Sequence, residues 1–277
     1  MNKSAASPTY RTHWGLTEAP FRGAFDARFF YESPTHEEAL ARLQFLVEER
    51  QRLGLLHGET GTGKSMLLEV FARNLRRNGS QVANISLAGA DLREFLWLIA
   101  AELGLNPSGR DDVFRLWRGV LDRLAENRYQ QLDTVLLFDD AHEASREVLE
   151  HISRLVQVDR APTARLTVAL ALTAGHAAAI DARLLELSEL RIDLDHWDEP
   201  DTIGYLNWSL AQAGRKTPAF SDEAMIRVHA LSDGVPRRVN QLASLALMAG
   251  AARQIPLIDG ETVASIHHEL GVIDTAA

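Results

Sequence analysis

The chain has 277 residues, 46% hydrophobic and 24% charged, with a formal net charge of −9 at pH 7 and no cysteine. That length buries a full core in one large domain or in a large and a small one, and the composition excludes a disordered or fibrous protein. Without cysteine there are no disulfides and no thiolate metal sites, and the negative balance gives no global attraction for nucleic acid, while a local basic patch stays open.

No apolar run is long enough for a membrane span, and residues 1–11 lack the apolar centre of a signal peptide, so the expected home is the cytoplasm. Tyr10, Trp14, Phe21, Phe25, Phe29, Phe30 and Tyr31 are spread among glycines and prolines, and residues 1–35 read as an ordered, extended aromatic arm. Ser33-Pro34-Thr35-His36 reads as a helix start, leading into residues 39–52 with Leu40, Leu43 and Leu46 at helical spacing. From there His36 is placed to touch a nucleotide base, with a surface or capping histidine as the alternative.

An apolar run at 53–56 then meets Gly58-Glu59-Thr60-Gly61-Thr62-Gly63-Lys64-Ser65, and a helical pattern follows at 66–77. A glycine-rich loop between a strand and a helix is a phosphate-binding loop. Its backbone N–H groups line a concavity, Lys64 supplies a cation for the β- and γ-phosphates of ATP, and Ser65 offers a hydroxyl to Mg²⁺. The nucleotide-binding stretch is thus Gly58, Glu59, Thr60, Gly61, Thr62, Gly63, Lys64, Ser65 and Met66. Arg76-Arg77-Asn78-Gly79 ends that helix, and residues 81–87 resume as a strand, completing a βαβ unit.

Amphipathic helices are expected at 92–103 and 113–125, with Trp97 and Trp117 as core residues. Residues 134–138 form a strand buried on both faces, ending in Asp139-Asp140-Ala141-His142. Carboxylates at the end of such a strand lie where ligands bind in open α/β sheets. Asp139 is placed to hold Mg²⁺ and Asp140 to orient the attacking water, with His142 and Glu143 as substitutes. A helix at 145–156, a strand at 165–172, a helix at 177–190 and a closing strand at 191–194 follow, with Thr173 able to report on the γ-phosphate. Beyond Asp198-Glu199-Pro200 only helices are expected, at 202–213, 222–231, 236–253 and 262–270. The division is an arm at 1–35, an α/β nucleotide-binding domain at 36–197 and a helical lid at 198–277.

The phosphate loop, the Asp139-Asp140 strand and the helical tail together resemble an AAA+ P-loop ATPase. Trp14-Gly15-Leu16-Thr17-Glu18-Ala19-Pro20-Phe21, His36-Glu37-Glu38-Ala39-Leu40 and Gly234-Val235-Pro236-Arg237 are similar to the ExeA/GspA-type ATPases of general secretion and their transposition-associated relatives. The resemblance implies a five-stranded parallel sheet flanked by helices, with a small helical lid. It makes Asp139 the Walker B acid, Asp140 the occupant of a position usually held by glutamate, and Arg237 a lid arginine reaching the phosphates. Aspartate is one methylene shorter than glutamate, so slow hydrolysis is expected. Half of the family's arginine pair is kept, leaving Arg183 and Arg191 as candidates for a contact in trans within an ATP-promoted homo-oligomer. The expected function is Mg²⁺-dependent ATP hydrolysis coupled to a protein partner complex; the alternative is an ATP-dependent switch, with DNA as a possible partner and little turnover.

Overall fold

The computed structural model describes residues 10–21, 27–158, 161, 163–175 and 182–274. The elements in chain order are α1 (Tyr10–Trp14), α2 (Pro34–Glu48), β1 (Leu53–Gly58), α3 (Lys64–Arg77), β2 (Gln81–Ser86), α4 (Leu92–Glu102) and α5 (Val113–Tyr129). Then come β3 (Thr134–Asp139), α6 (Arg146–Val158), β4 (Leu166–Thr173), α7 (Ala182–Leu187) and β5 (Leu190–Leu194), followed by α8 (Glu199–Gln212), α9 (Asp222–Ser232), α10 (Pro236–Ala252) and α11 (Gly260–Asp274). They fall into two compact units, His36–Asp195 and a second that joins Met1–Thr35 to His196–Ala277.

The first unit is built on five parallel strands in the order β2-β3-β4-β1-β5. β1 and β3 are buried along their whole length, and β4 along all but its last residue. Helices cover both faces of such a sheet, so its inner strands read as continuous apolar runs instead of alternating ones. Phe95 of α4, Phe138 of β3, Ile152 of α6 and Leu184 of α7 pack into one core with Leu53 and Leu170. Side-chain caps start the helices: Asp91 accepts from Glu94 N–H and Asp112 from Arg115 N–H, each at 2.8 Å, supplying acceptors for donors that a first helical turn leaves open. Trp97 and Trp117 pack against the core as expected, and the Arg154 guanidinium stacks 4.5 Å from the Trp117 ring.

Some boundaries differ from the sequence expectation. α5 continues past residue 125 to Tyr129 because Asn127 is a buried part of its inner face, donating to Thr134 Oγ1 at 2.8 Å. β4 extends to Thr173, and α7 is a short helix that yields Leu190 to β5. His176 and the expected start of that helix lie outside the described residues, as does Phe25.

The second unit is helical and has a core of its own. The stretch expected to be extended contains α1 and a single 3₁₀ turn at Ala27–Phe29. Trp14, Leu16 and Phe21 are buried in the core that α8, α9, α10 and α11 build. The Trp14 indole N–H donates to Leu247 O at 2.7 Å, and Arg215 lies over the ring at 4.9 Å while bonding the Trp14 carbonyl. Further along, Tyr31 meets Trp197, Tyr205 and Trp208 edge-on or tilted, with centroids 5.7–5.9 Å apart. Trp14 and Phe21 lie inside this core, and Tyr10 and Tyr31 pack against it, although they follow no helical stripe along the chain.

Gly234, the first residue of the Gly-Val-Pro-Arg motif, has φ 65°, and its carbonyl accepts from Trp197 N–H at 3.0 Å. A Cβ there would stand 2.0 Å from Trp197 O, so only glycine fits. Pro236 follows at the first helical position of α10, where its missing N–H costs nothing. No helix among the described residues is long and apolar enough to cross a membrane.

Candidate functional site

β1 ends at Gly58, which pairs with Thr173 of β4 on one side and Leu194 of β5 on the other. The chain then turns through residues 59–63 into α3, with Gly61 at φ 93° and Gly63 at φ 102°. These left-handed conformations are what glycine permits and a side chain resists. Glu59 and Thr60 form the exposed crown of the loop, whereas Thr62 is fully buried and its hydroxyl donates to Glu59 O at 2.9 Å.

Lys64 opens α3 and is 7% exposed. Its ammonium donates to Gly58 O at 2.8 Å and to Glu59 O at 2.9 Å, so the loop's own carbonyls hold the cation inside the loop. Ser65 and Met66 follow in the first turn of α3, both partly buried.

Asp139, the last residue of β3, is 9% exposed. Burial pushes its pKa up, as does the neighbouring Asp140 charge; a hydrogen bond with Ser65, the Asp140 N–H and the Lys64 charge pull the other way. The nearness of the Ser65 hydroxyl to the Asp139 carboxylate brings together two hard oxygen donors, a set that suits Mg²⁺ completed by phosphate oxygens and water. A cation there would also relieve the cost of a buried carboxylate. Among the described residues no group of three or more His, Asp or Glu forms a metal cage, so any metal here needs such outside ligands.

Asp140 has φ 52°, an uncommon conformation for a residue with a side chain, and it leads into a 3₁₀ turn at Ala141–Glu143. Its carboxylate accepts from Ser86 Oγ at 3.3 Å; Ser86 ends β2, in register with Asp139. His142 Nε2 lies 3.8 Å from Glu143 Oε1. Thr173 stands beside Gly58 at the end of β4, and Ala174 N–H donates to Gly58 O at 3.0 Å.

His36 lies on the inner side of the loop. Its ring is 2% exposed, and Nε2 is 3.2 Å from Thr62 O. Burial holds its pKa down at about 4, against the opposing pull of the Thr62 carbonyl, so the ring is neutral. The unfolded chain takes up this proton near the ordinary 6.5, the folded chain only near 4. Stability is therefore full above pH 6.5 and falls as pH drops toward 4, by about 3 kcal/mol from this group. Urea unfolding at about pH 7.5 and about pH 4.5 checks this: His36→Phe loses less stability on acidification than the unmodified chain, and equal losses would refute it.

Two residues near the loop escaped the sequence reading. Ser86 carries no local signal, since its partnership with Asp140 exists only once β2 is laid beside β3. His57 did offer one, a polar residue inside an apolar strand. It is buried in β1 directly before the loop, and burial, followed by the Arg191 charge, lowers its pKa. Arg191 itself is exposed and paired with Asp193 at 2.8 Å, while Arg183 bonds Gln157 at 2.9 Å. Arg237 belongs to the helical unit, exposed at the second position of α10.

Residues 47–180 match the family model described as an AAA domain. The chain is 28% identical to General secretion pathway protein A of Aeromonas hydrophila over 271 residues. That alignment takes in 96% of this chain and 49% of the relative, so the chain spans about half the relative's length. Among solved structures it is similar to Cdc6p from Pyrobaculum aerophilum, with TM-score 0.67, 16% identity and coverage of 86% of this chain and 67% of that one. It is also similar to the ORC1 protein of Aeropyrum pernix, solved in complex with DNA, with TM-score 0.67, 19% identity and coverage of 87% and 67%. At those identities the structural likeness speaks for the fold alone. Residues 47–180 thus match an AAA domain, and the resemblance to General secretion pathway protein A extends beyond that stretch on both sides.

Proposed function

We propose that the chain is a Mg²⁺-dependent ATPase whose nucleotide cycle drives assembly or remodelling of a partner protein complex, of the secretion type by its likeness to General secretion pathway protein A. The observation that carries this reading is one cluster: an inward-held Lys64, a glycine loop at the carboxyl end of β1, and a buried Asp139 close to Ser65. Lys64 exchanges the carbonyls of Gly58 and Glu59 for phosphate oxygens of ATP, and the loop and first-turn N–H groups of α3 add theirs. Ser65 and Asp139 would hold Mg²⁺, which neutralises charge on the phosphates when bound. Asp140 orients the attacking water and accepts its proton. Thr173 is the candidate to report on the γ-phosphate, and Arg237 is the helical unit's candidate for a phosphate contact.

Asp140 tests the hydrolytic part. Its short side chain holds water less well than glutamate, so Asp140→Glu raises turnover, while Asp140→Asn lowers it on the order of a hundredfold. Steady-state phosphate release reads both. If Asp140→Asn hydrolyses ATP at the unmodified rate, another group positions the water.

The bond from Ser86 Oγ to the Asp140 carboxylate favours a second reading, a switch that binds ATP with little turnover, because it engages an oxygen that water would otherwise use. Self-association separates the two. An arginine supplied in trans raises P-loop turnover by several powers of ten, and here Arg183 or Arg191 would have to leave Gln157 or Asp193 to act so. The expected result is an ATP-promoted oligomer whose specific activity rises with protein concentration. Light scattering on a sizing column, with a slowly hydrolysed ATP analogue, measures it; a monomer throughout with constant specific activity favours the switch.

A further inference from the structure

The peptide between Thr62 and Gly63 is held from behind by a side chain of another helix. His36, in the first turn of α2, brings Nε2 to 3.2 Å from Thr62 O. A carbonyl only accepts, so this nitrogen carries the proton and donates it. The described chain has no cis peptide. In a trans peptide the carbonyl and the following N–H point in opposite directions. Fixing Thr62 O toward His36 therefore turns the Gly63 N–H the other way, and that N–H finds no acceptor among the described residues.

The fit is close on both sides of this peptide. Thr62 is fully buried, so its carbonyl would lose its donor without the histidine and find no water in its place. Gly63, at φ 102°, lies so near the ring that a Cβ would stand 2.8 Å from His36 Nε2. Histidine and glycine thus occupy one shared space.

We infer that His36 is a positioning residue for phosphate binding: through the Thr62 carbonyl it aims the Gly63 amide at a phosphate oxygen of bound nucleotide, without touching the nucleotide itself. This rests on the ATP reading of the same loop. It also gives α2 a direct hold on the phosphate loop, so that a displacement of the start of α2 alters nucleotide affinity.

The test compares a variant that keeps ring bulk without a donor, His36→Phe, with one that restores an amide donor, His36→Gln. ATP and ADP affinities are measured by calorimetry, kcat and KM by phosphate release, and folding by thermal unfolding. His36→Phe is expected to raise Kd and KM for ATP about tenfold while kcat at saturation stays within about threefold, and His36→Gln to return affinity to within about threefold of the unmodified chain. If His36→Phe fails to fold, His36→Met serves as the donor-free variant with the same expectation. Unchanged affinity in the donor-free variant overturns the inference, and so does an equal loss in the donor-free and His36→Gln variants, which marks a packing effect. A fall in kcat with KM unchanged also overturns it. Absence of ATP binding by the unmodified chain in the same titration overturns the ATP reading and this inference with it, whereas normal binding there isolates any failure to His36.

Discussion

Lys64→Ala weakens ATP binding by about 3 kcal/mol, roughly a hundredfold in Kd. Lys64 is the only cation in residues 58–66, and its ammonium is already desolvated inside the loop, 7% exposed and bonded to Gly58 O and Glu59 O. A charge held there meets phosphate oxygens at little further desolvation cost, which is why the contact is worth more than a surface ion pair. The substitution also removes a donor from two loop carbonyls. The fold itself depends on the sheet and its apolar core, so the variant stays folded, with an unchanged circular dichroism spectrum. Calorimetric titration measures the affinity; equal Kd values for the two proteins would remove the basis of the nucleotide reading.

Trp14→Ala destabilises the helical unit by about 4 kcal/mol. The indole is 1% exposed, donates to Leu247 O and carries Arg215 across its face. Truncation leaves a large cavity, a carbonyl on α10 without its second donor and an arginine without its stacking surface. Trp14→Phe keeps most of the volume and loses chiefly the hydrogen bond, so its expected cost is smaller, about 1–2 kcal/mol. Urea unfolding followed by far-ultraviolet circular dichroism checks both. A Trp14→Ala loss below about 1 kcal/mol would show that the segment holding Trp14 is not part of that core.

β1, β3 and β4 were legible because they are short apolar runs bounded by turn residues, and a strand buried on both faces needs nothing else to identify it. The loop at 58–65 was legible because its glycine spacing is dictated by one backbone task. The N-terminal aromatics were not, since Trp14, Leu16 and Phe21 bury themselves against helices more than 180 residues away and no local periodicity records such a contact. The same limit applies within the site. Asp139 and Asp140 announce themselves at the end of an apolar run, but Ser86 reaches Asp140 only through the pairing of β2 with β3. His36 was singled out from its place at a helix start; that its ring turns inward onto Thr62 O depends on packing between α2 and the loop, which spacing along the chain does not encode.

The most direct measurement is phosphate release from ATP by the purified chain, with Mg²⁺ and after its removal by chelation, alongside Lys64→Ala. The expected result is a Mg²⁺-dependent turnover that disappears on chelation and in Lys64→Ala, with ADP accumulating in step with phosphate. Either no phosphate release by the unmodified chain across a range of protein concentrations, or release that persists undiminished in Lys64→Ala, would contradict ATP hydrolysis at this loop.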